Sequence, residues 1–433
     1  CGESGMSQAL PGSPSSPDDI PEIEFRAADD DLLDEPPAIA VEDLQSALPI
    51  AEVPARPDQW LLLGAGHAHL QIVRWWGRRP IPGVQLVLVS AFDRATYSGM
   101  LPGVLSGQFP PDALQIDLPA FCAKQGVSLI VDRAVALDSK QRIVRLAHHP
   151  ELHFDLASIN IGSVPADERL WQTHRTLVSV KPLPTFLQRF DARLQELLSQ
   201  YRMAPGPELL QIAIVGGGAA GVELALCLSE RIRKESLPIQ LRIVDRGAEI
   251  LSGYAPRTVR KARELLFRRG IAIRSRSHVV ACDEDLAPEL VLEEGGRVRV
   301  DLVLWAAGAA PPTALKNYDL PRSDRGFLSI RPTLQTTGDD PVFVVGDAAD
   351  WPGRPLPKAG VYAVRQASVL WENLRRWQSG EELIEYRPQQ KFLALLNCGD
   401  GTALMEWNGW TFHSRWAWRL KRWIDLEFVR QFR

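Results

Sequence analysis

Two glycine-rich segments, each directly after an apolar run, constrain the fold more than any other feature of this sequence. The stretch IVGGGAAGVELA places Gly216, Gly218 and Gly221 in a GxGxxG spacing, whereas LLLGAGHAHL has Gly64 and Gly66 but His69 in the third position. In such a strand-turn-helix unit the first glycine permits a tight turn and the second lets the backbone approach a pyrophosphate. The third lets the helix pack closely on the strand. The sequence therefore predicts two βαβ units in one chain.

Size and composition narrow the class of protein. A chain of 433 residues exceeds what one hydrophobic core usually serves, so we expect two or three domains. The net charge of -4 gives no reason to expect a nucleic-acid partner. The five cysteines are scattered without a CxxC pair, which disfavours a disulfide scaffold, a metal site and a redox-active dithiol. No stretch is typical of a membrane span.

The first 56 residues differ from the rest of the chain. They contain thirteen acidic residues, two arginines and eight prolines. Such a segment buries too little apolar area to offset its chain entropy, so we predict disorder for residues 1–56. The segment is too acidic for a typical transit peptide.

The second glycine turn is the stronger of the two. Asp245 ends the next predicted strand, and an acid there can bind a ribose 2′-hydroxyl and disfavour a 2′-phosphate. Arg246 lies beside it, so the preference for NADH over NADPH is mild. The alternative is a strand-helix turn without a ligand, which the complete motif makes the less favoured interpretation.

The first glycine turn is weaker evidence by itself. His69 in the third position is predicted to push helix and strand slightly apart, and an empty structural turn is nearly as good an interpretation. Ser90 ends the following strand, where an acid commonly binds the adenosine ribose, and Asp93 is the nearest acid. Taken singly, His67 and His69 are predicted to be packing or surface residues rather than catalysts.

A later segment strengthens the first turn. FVVGDAAD delivers Gly346 and Asp347 from a buried strand into a loop ahead of a helix, a position that suits a flavin ribityl hydroxyl and a pyrophosphate. FDLASINIGSVP (154–165) and DLVLWAAGAAPP (301–312) share an Asp, an apolar strand and a small-residue turn. We expect these two to be the paired connections through which the chain leaves one domain and returns.

In this order the motifs resemble the two-dinucleotide-binding-domain flavoproteins of the pyridine nucleotide-disulfide oxidoreductase superfamily, over roughly residues 58–378. The likeness is nearest to type II NADH:quinone dehydrogenases. More narrowly, GAGHAHL, YSGMLPG, KAGVYAVRQ and the tail resemble modules fused to selenide, water dikinase. The resemblance implies an α/β fold with two Rossmann-like (FAD/NAD(P)-binding) domains, the second inserted in the first, plus a small C-terminal region. It divides the chain into FAD-binding parts 57–175 and 311–380, an NAD(P)H-binding domain 176–310, and a Trp-rich region 381–433.

The resemblance also implies the activity, a FAD-dependent NAD(P)H oxidoreductase in which hydride passes from nicotinamide C4 to flavin N5 and electrons pass to a quinone or another small acceptor. Glu223 matches a family glutamate that could orient the nicotinamide, although a first-turn helix acid is equally compatible. Lys358 is a candidate for stabilising negative charge on the reduced flavin, with a solvated lysine as the alternative. The residues implied to bind the two cofactors lie at the glycine turns and strand ends: Gly64, Ala65, Gly66, His67, Ala68, Ser90, Gly162, Gly216, Gly218, Gly221, Asp245, Gly308, Gly346 and Asp347.

The acceptor is less well specified. The quinone-reducing branch has an Ala-Gln-x-Ala-x-Gln motif, and aligning its last Gln with Gln366 puts Val361, Tyr362 and Val364 where Ala, Gln and Ala are expected. Two other hypotheses are a reductase serving selenium metabolism and a redox-sensing flavoprotein with slow turnover. The loop YSGMLPG (97–103) is predicted to line the flavin.

The tail is predicted to be an amphipathic helix. Trp416, Leu420, Trp423, Ile424 and Phe428 fall near one face, with five basic residues around the remainder. This pattern suits a helix lying on anionic lipid, and docking onto the flavoprotein body or a second subunit is the alternative. We expect a cytoplasmic or organellar protein with peripheral membrane contact, and a homodimer is compatible with the sequence.

Overall fold

The computed structural model describes residues 57–433 except 167–173, 204–207, 286, 339–340, 354, 357 and 390–392. The predicted disordered segment 1–56 lies outside the described residues. The helices that bear on the site are α1 (His67–Arg78), α2 (Leu101–Leu105), α3 (Leu118–Lys124), α4 (Leu183–Met203), α5 (Ala219–Glu235), α6 (Pro256–Arg268), α7 (Gly360–Ser379) and α8 (Arg415–Arg430).

The first sheet is parallel and has five strands in the order β19-β9-β1-β2-β5. Its strands are β1 (Asp58–Leu63), β2 (Val84–Ser90), β5 (Ser128–Val131), β9 (Leu156–Ile159) and β19 (Val342–Val344). The apolar run at 60–63 is buried, because helices and loops cover both faces of a parallel sheet. Strand β19 therefore lies more than 180 residues further along the chain than the other four strands.

The second sheet repeats the arrangement with residues that lie between those two parts. Its order is β10-β17-β11-β12-β13, again all parallel. The strands are β10 (Leu177–Ser179), β11 (Leu210–Val215), β12 (Ile239–Val244), β13 (Ala272–Arg274) and β17 (Leu302–Trp305). The predicted α/β fold with two Rossmann-like units is confirmed, whereas the exact domain limits stay predictions.

The two predicted connections lie side by side. Val164 and Ala310 exchange both backbone hydrogen bonds, at 3.0 and 2.8 Å, as an isolated antiparallel bridge. A Cβ on Gly308 would lie 2.8 Å from the Cβ of Ala166, so this crossing is too close for a larger residue. The chain thus leaves the first sheet and returns to it through adjacent strands.

Smaller antiparallel sheets complete the fold. The first is the pair β3 (Arg94–Thr96) and β4 (Gln115–Asp117), and the second contains β6 (Ala134–Asp138), β7 (Ile143–Leu146) and β8 (Leu152–His153). The third contains β14 (Val279–Asp283), β15 (Glu289–Leu292) and β16 (Arg297–Arg299). The fourth contains β21 (Ala394–Asn397), β22 (Ala403–Trp407) and β23 (Trp410–Ser414). Parallel β18 (Leu328–Ser329) and β20 (Ala349–Asp350) make a further pair. Segment 91–120 contains β3, α2, β4 and the start of α3.

The C-terminal region packs on both halves of the protein. Leu396, Cys398 and Leu404 belong to the core around the second sheet. Val429 and Phe432, at the end of α8, belong to the core around the first sheet. Within the described part of the chain, none of the helices has the length and apolar character needed to cross a bilayer.

Candidate functional site

The second glycine turn has the backbone that its sequence predicts. Gly216 has φ of +115°, a conformation that side chains rarely adopt, and a Cβ on Gly221 would lie 1.9 Å from the Gly216 carbonyl oxygen. A Cβ on Gly218 would meet nothing within 4 Å. The first and third glycines are therefore needed for packing, and the second leaves open space at the start of α5, where a pyrophosphate can approach the helix N-terminus.

Asp245 follows β12 and faces this turn. Its Oδ1 accepts a hydrogen bond from the Gly217 backbone N–H at 2.9 Å, and its Oδ2 accepts one from Gly247 at 3.1 Å. Each carboxylate oxygen retains a second acceptor site, so a ribose hydroxyl can still bind. Arg246 next to it is exposed.

The first glycine turn is built around a side chain that the sequence reasoning missed. A Cβ on Gly66 would lie 2.4 Å from Asn160 Oδ1, and one on Gly346 would lie 2.6 Å from the same atom. The Asn160 Nδ2 is buried and has no hydrogen-bond partner among the described residues. Gly64 has φ of +92°. Three glycines from two distant segments therefore pack against Asn160, which directly follows β9, the strand between β1 and β19.

His69 stands at the position of the third glycine, and its ring makes a hydrogen-bond contact on each side. Its Nδ1 is 2.7 Å from the Gly64 carbonyl oxygen and its Nε2 is 2.8 Å from Ser158 Oγ. Burial lowers the pKa of His69 from 6.5 to about 4, so the ring is neutral at neutral pH. The imidazole thus bridges α1 and the first sheet. At the corresponding position of the second turn, Gly221 lets the helix pack directly on the turn. The prediction that His69 is a packing residue agrees with this geometry.

The ends of the neighbouring strands form local turns. The Ser90 hydroxyl donates to the Phe92 carbonyl at 2.8 Å, which closes the turn after β2. Asp93 is exposed. Gly162 has φ of +74° and Gly308 has φ of +59°, so each needs glycine for the turn that follows its strand. Their contacts to a cofactor stay predictions.

Asp347 takes part in a cluster that includes two further missed residues. Its Oδ2 accepts a hydrogen bond from Ser163 Oγ at 2.8 Å and lies 3.1 Å from Lys181 Nζ. Lys181 Nζ also donates to Ser163 Oγ at 2.7 Å. Nothing in the sequence signals this cluster, since Ser163 and Asp347 are 184 residues apart.

Lys358 is buried rather than solvated. Its ammonium donates to the Ala349 carbonyl, lies 3.8 Å from Asp350, and lies 3.9 Å from the centroid of the Phe327 ring. Burial lowers the pKa of Lys358 to about 8. Its predicted role at a reduced flavin stays a prediction, although these three contacts hold the charge in place.

Glu223 joins the second glycine turn to the C-terminal region. Its Oε1 accepts a hydrogen bond from the Asn397 backbone N–H at 2.8 Å and lies 3.6 Å from Lys421 Nζ. Lys421 also lies 3.2 Å from Asp425 Oδ2, and Tyr97 donates to Asp425 Oδ1 at 3.0 Å. The side chain of Glu223 is therefore part of a buried interdomain network, which neither of its sequence interpretations included.

This network contains two carboxyl groups and one ammonium group. Burial raises the pKa values of Glu223 and Asp425, and the charge of Lys421 opposes the increase. Burial acts to lower the pKa of Lys421, but the charges of the two acids outweigh it and raise that pKa. One ammonium cannot fully compensate two buried carboxylates, so one of the two acids retains a proton more readily than a solvated acid would.

The segment YSGMLPG contacts the first glycine turn through its tyrosine. The rings of Tyr97 and Phe428 stack at 4.5 Å between centroids, and the His67 ring lies 5.6 and 5.5 Å from them. The prediction that this segment lines the flavin stays a prediction. The segment forms a short 3₁₀ turn (Ser98–Met100) and α2, and is not an irregular loop.

Gln366 has a structural partner. Its Oε1 accepts a hydrogen bond from the Gly346 backbone N–H at 2.7 Å, and the residue is buried. The last Gln of the predicted motif therefore holds the Gly-Asp loop. Tyr362, which stands where the family has Gln, is buried on the same helix.

Helix α8 docks on the protein body through one face and leaves two tryptophans exposed, so contact with lipid stays a prediction. Its face with Ala417, Lys421, Asp425 and Val429 is buried against the protein body. Trp416 and Trp423 remain 49% and 53% exposed. The predicted apolar face is thus divided, because Phe428 packs inward on Tyr97 whereas the two tryptophans face outward.

One group of potential metal ligands occurs among the described residues, although the sequence spacing indicated none. Atoms of His174, Cys282 and Glu284 lie within 4.8 Å of one another. Glu284 already accepts a hydrogen bond from the Thr176 backbone N–H at 2.8 Å. Burial raises the pKa of the Cys282 thiol to about 11, so the thiolate that a metal requires is disfavoured.

The residues at both turns fit dinucleotides. The second turn offers an open helix N-terminus with an acid at the next strand end, which is the donor and acceptor set of a nicotinamide dinucleotide site. The first turn offers a glycine cradle around the Asn160 amide nitrogen, which is buried and has no partner in the described part of the chain, and Gly346 and Asp347 approach it from the loop after β19.

Comparison with known proteins agrees with this geometry. Residues 58–367 match the family described as pyridine nucleotide-disulphide oxidoreductase. Demethylphylloquinone reductase NdbB of Synechocystis is 27% identical over 366 residues, covering 79% of this chain and 85% of its own. A type II NADH:quinone oxidoreductase of Staphylococcus saprophyticus is 21% identical over 340 residues, covering 75% and 84%.

Among solved structures, NDH2 from Plasmodium falciparum in complex with NADH aligns with a TM-score of 0.74 at 13% identity, covering 87% of this chain and 98% of its own. This likeness supports the fold. The predicted type II resemblance is confirmed. The narrower likeness to modules fused to selenide, water dikinase gains no support from these relatives and stays a prediction.

Proposed function

The chain belongs to the pyridine nucleotide-disulphide oxidoreductase family, and from this premise we propose that it passes electrons from NAD(P)H through FAD to a quinone. It is a FAD-dependent NAD(P)H oxidoreductase. The observation that carries the proposal is the presence of both glycine turns, in family order, within a match that spans residues 58–367. The quinone rests on the relatives that are named as quinone reductases.

The residues at the first turn would hold FAD. Gly64, Gly66 and Gly346 pack closely around Asn160, and Gln366 holds the Gly346–Asp347 loop at the same place. Asp347 is an acceptor for a ribityl hydroxyl. When bound there, FAD supplies the capacity to accept a hydride and to deliver electrons onward.

The residues at the second turn would hold NAD(P)H. Gly218 leaves room for the pyrophosphate, and Asp245 retains acceptor sites for the ribose. Glu223 lies one turn into α5, and its carboxyl group is fixed by Asn397 and Lys421. This rigid acid lies near the expected position of the nicotinamide ring. A fixed polar group orients a ligand at less entropic cost than a mobile one.

Two kinetic experiments test this function. Anaerobic mixing of the FAD-loaded protein with NADH or NADPH should bleach the flavin absorbance, and steady-state oxidation should be faster with a quinone than with other small acceptors. Flavin that stays oxidised with both nucleotides contradicts the oxidoreductase assignment. Rapid bleaching with slow turnover on every quinone contradicts only the acceptor.

We also propose that the outer face of α8 lies on an anionic membrane surface. Trp416 and Trp423 are exposed beside the exposed Arg415, Arg419 and Arg422. The preceding hairpin adds Trp410 and Phe412, which are 62% and 47% exposed. Exposed aromatics with adjacent arginines match the interfacial pattern, in which rings enter the headgroup region and arginines contact phosphates.

The test is co-sedimentation with vesicles that contain anionic lipid. The double variant Trp416→Ser/Trp423→Ser should lose binding, whereas Phe267→Ser should keep it. Phe267 is 83% exposed on α6 and is the matched control for loss of exposed aromatic surface. Equal binding by wild type and both variants contradicts the membrane proposal. A homodimer stays a prediction.

A further inference from the structure

Lys181 connects the segment that enters the second sheet with two loops of the first. It lies two residues beyond β10, and its Nζ donates to Ser163 Oγ at 2.7 Å and to Asp347 Oδ2 at 3.1 Å. The side chains of Lys181 and Asp347 are 33% and 17% exposed. This is a partly buried ion pair closed by a third hydrogen bond, from Ser163 to Asp347.

The cluster lies at the first glycine turn. Asp347 follows Gly346, and the space for a Cβ on Gly346 is filled by Asn160, which also fills the space beside Gly66. The His67 ring at the start of α1 is close enough for the charges to act on it: burial lowers its pKa to about 4, Asp347 acts to raise that pKa, and Lys181 acts to lower it. Lys181 is therefore a cation at the proposed flavin site.

We propose that Lys181 is a positioning residue of the flavin site that neutralises Asp347 and so favours reduction of bound FAD. This inference rests on the proposed function. A flavin gains negative charge when it is reduced, and an uncompensated carboxylate nearby opposes that change, because nearby charge tunes the electronics of the cofactor. The ammonium of Lys181 is bonded to Asp347 and removes this opposition.

The cation also comes from the nucleotide-binding side of the chain. Lys181 is carried by the segment between β10 and α4, whereas Ser163 and Asp347 belong to loops of the first sheet. A single ion pair thus couples the position of this segment to the charge of the flavin site. Lys358 is not equivalent, since its ammonium is engaged by Ala349, Asp350 and the Phe327 ring.

The experiment compares three variants of the FAD-loaded full chain. Lys181→Met removes the charge, Lys181→Arg retains it, and Lys140→Met removes a charge from an exposed turn between β6 and β7 as the matched control. The readouts are the dissociation constant of the flavin–sulfite adduct, measured from the loss of flavin absorbance, and the midpoint potential of the flavin against a reference dye. Both report on negative charge in the flavin without requiring turnover.

Lys181→Met should weaken sulfite binding at least tenfold and lower the midpoint potential by about 30 mV, which is a tenfold change for a two-electron couple. Lys181→Arg and Lys140→Met should stay within about twofold of wild type, because each leaves a cation beside Asp347. The inference is also supported if Lys181→Arg retains FAD and Lys181→Met loses it.

Two results overturn the inference. In the first, Lys181→Met has the same sulfite affinity and flavin midpoint potential as Lys140→Met. In the second, Lys181→Arg changes these two quantities as much as Lys181→Met does. A failure of the proposed function is distinguishable, since it appears in the wild type. There, either the protein takes up no FAD or NADH and NADPH do not reduce the flavin. In contrast, a wild type with reducible flavin and an unaffected Lys181→Met refutes only the role of Lys181.

Discussion

Replacing His69 with glutamine should remove the part of the acid sensitivity that this buried ring contributes, while His67, whose pKa burial also lowers to about 4, keeps its own part. The His69 ring is fully buried between the Gly64 carbonyl and the Ser158 hydroxyl. Its pKa is lowered from 6.5 to about 4 by burial. The unfolded chain therefore binds more protons than the folded chain between these two values, and the free energy of unfolding falls as the pH falls through that window.

The size of the effect follows from the two pKa values. At about pH 5, most unfolded chains carry a protonated His69 while the folded chain does not, which costs about 2 kcal/mol of stability relative to about pH 7.5. The full shift corresponds to about 3.4 kcal/mol, reached only below about pH 4. Above about pH 6.5 the contribution of this proton equilibrium disappears.

The assay is urea unfolding of wild type and His69→Gln at both pH values, followed by tryptophan fluorescence and circular dichroism. The two signals must coincide, because a chain with two domains gives one free energy of unfolding only when its transitions coincide. Glutamine does not titrate, so the variant should lose about 2 kcal/mol less than wild type on acidification. An equal loss in both proteins refutes a neutral, buried His69.

Three further predictions concern the second domain and the C-terminal helix. Gly218→Ala should change the free energy of unfolding by no more than about 1 kcal/mol, and it should weaken NADH binding at least about tenfold in a fluorescence titration. Gly221→Ala should destabilise the protein by about 1–3 kcal/mol, because its Cβ would lie 1.9 Å from a carbonyl oxygen. Equal stability of these two variants contradicts this account of the turn. Lys421→Met should lower the free energy of unfolding, measured in urea, by about 3–5 kcal/mol, since it leaves Glu223 beside a second buried acid without a cation. A loss near zero contradicts a charged network. Asp245→Asn should raise the ratio of kcat/KM for NADPH to that for NADH by about tenfold, because the acid repels a 2′-phosphate, and an unchanged ratio means that Asp245 does not face the ribose.

The sequence predicted those parts of the fold that depend on local pattern. The near-continuous apolar runs at 60–63 and 212–215 became central parallel strands, because only a sheet covered on both faces buries such a run completely. The glycine spacing at 216–221 required the observed turn, because two of the three positions admit no side chain. The shared pattern of segments 154–165 and 301–312 predicted paired connections, and a bridge between Val164 and Ala310 places the two segments side by side.

The residues that the sequence analysis missed depend on contacts made by folding. Asn160 reaches the first turn from β9, and its environment is set by Gly346, which lies far along the chain. Glu223 meets the Asn397 backbone, 174 residues away, through a hydrogen bond that no spacing rule anticipates. The burial of Lys421 and Asp425 on an otherwise amphipathic helix was unpredictable for the same reason, since a pair of charges at helical spacing usually faces solvent.

The buried side of α8 also decides how membrane binding must be tested. Truncating the chain before this helix would remove the exposed Trp416 and Trp423, but it would also remove Lys421, the cation 3.6 Å from Glu223. The truncated protein would retain a carboxyl group in an apolar site whose counter-charge is gone, and loss of vesicle binding could then arise from unfolding. Substitution of the two outward tryptophans leaves Lys421 and Asp425 in place. Only that experiment separates the surface that faces solvent from the network that joins the nucleotide-binding helix to the C-terminal region.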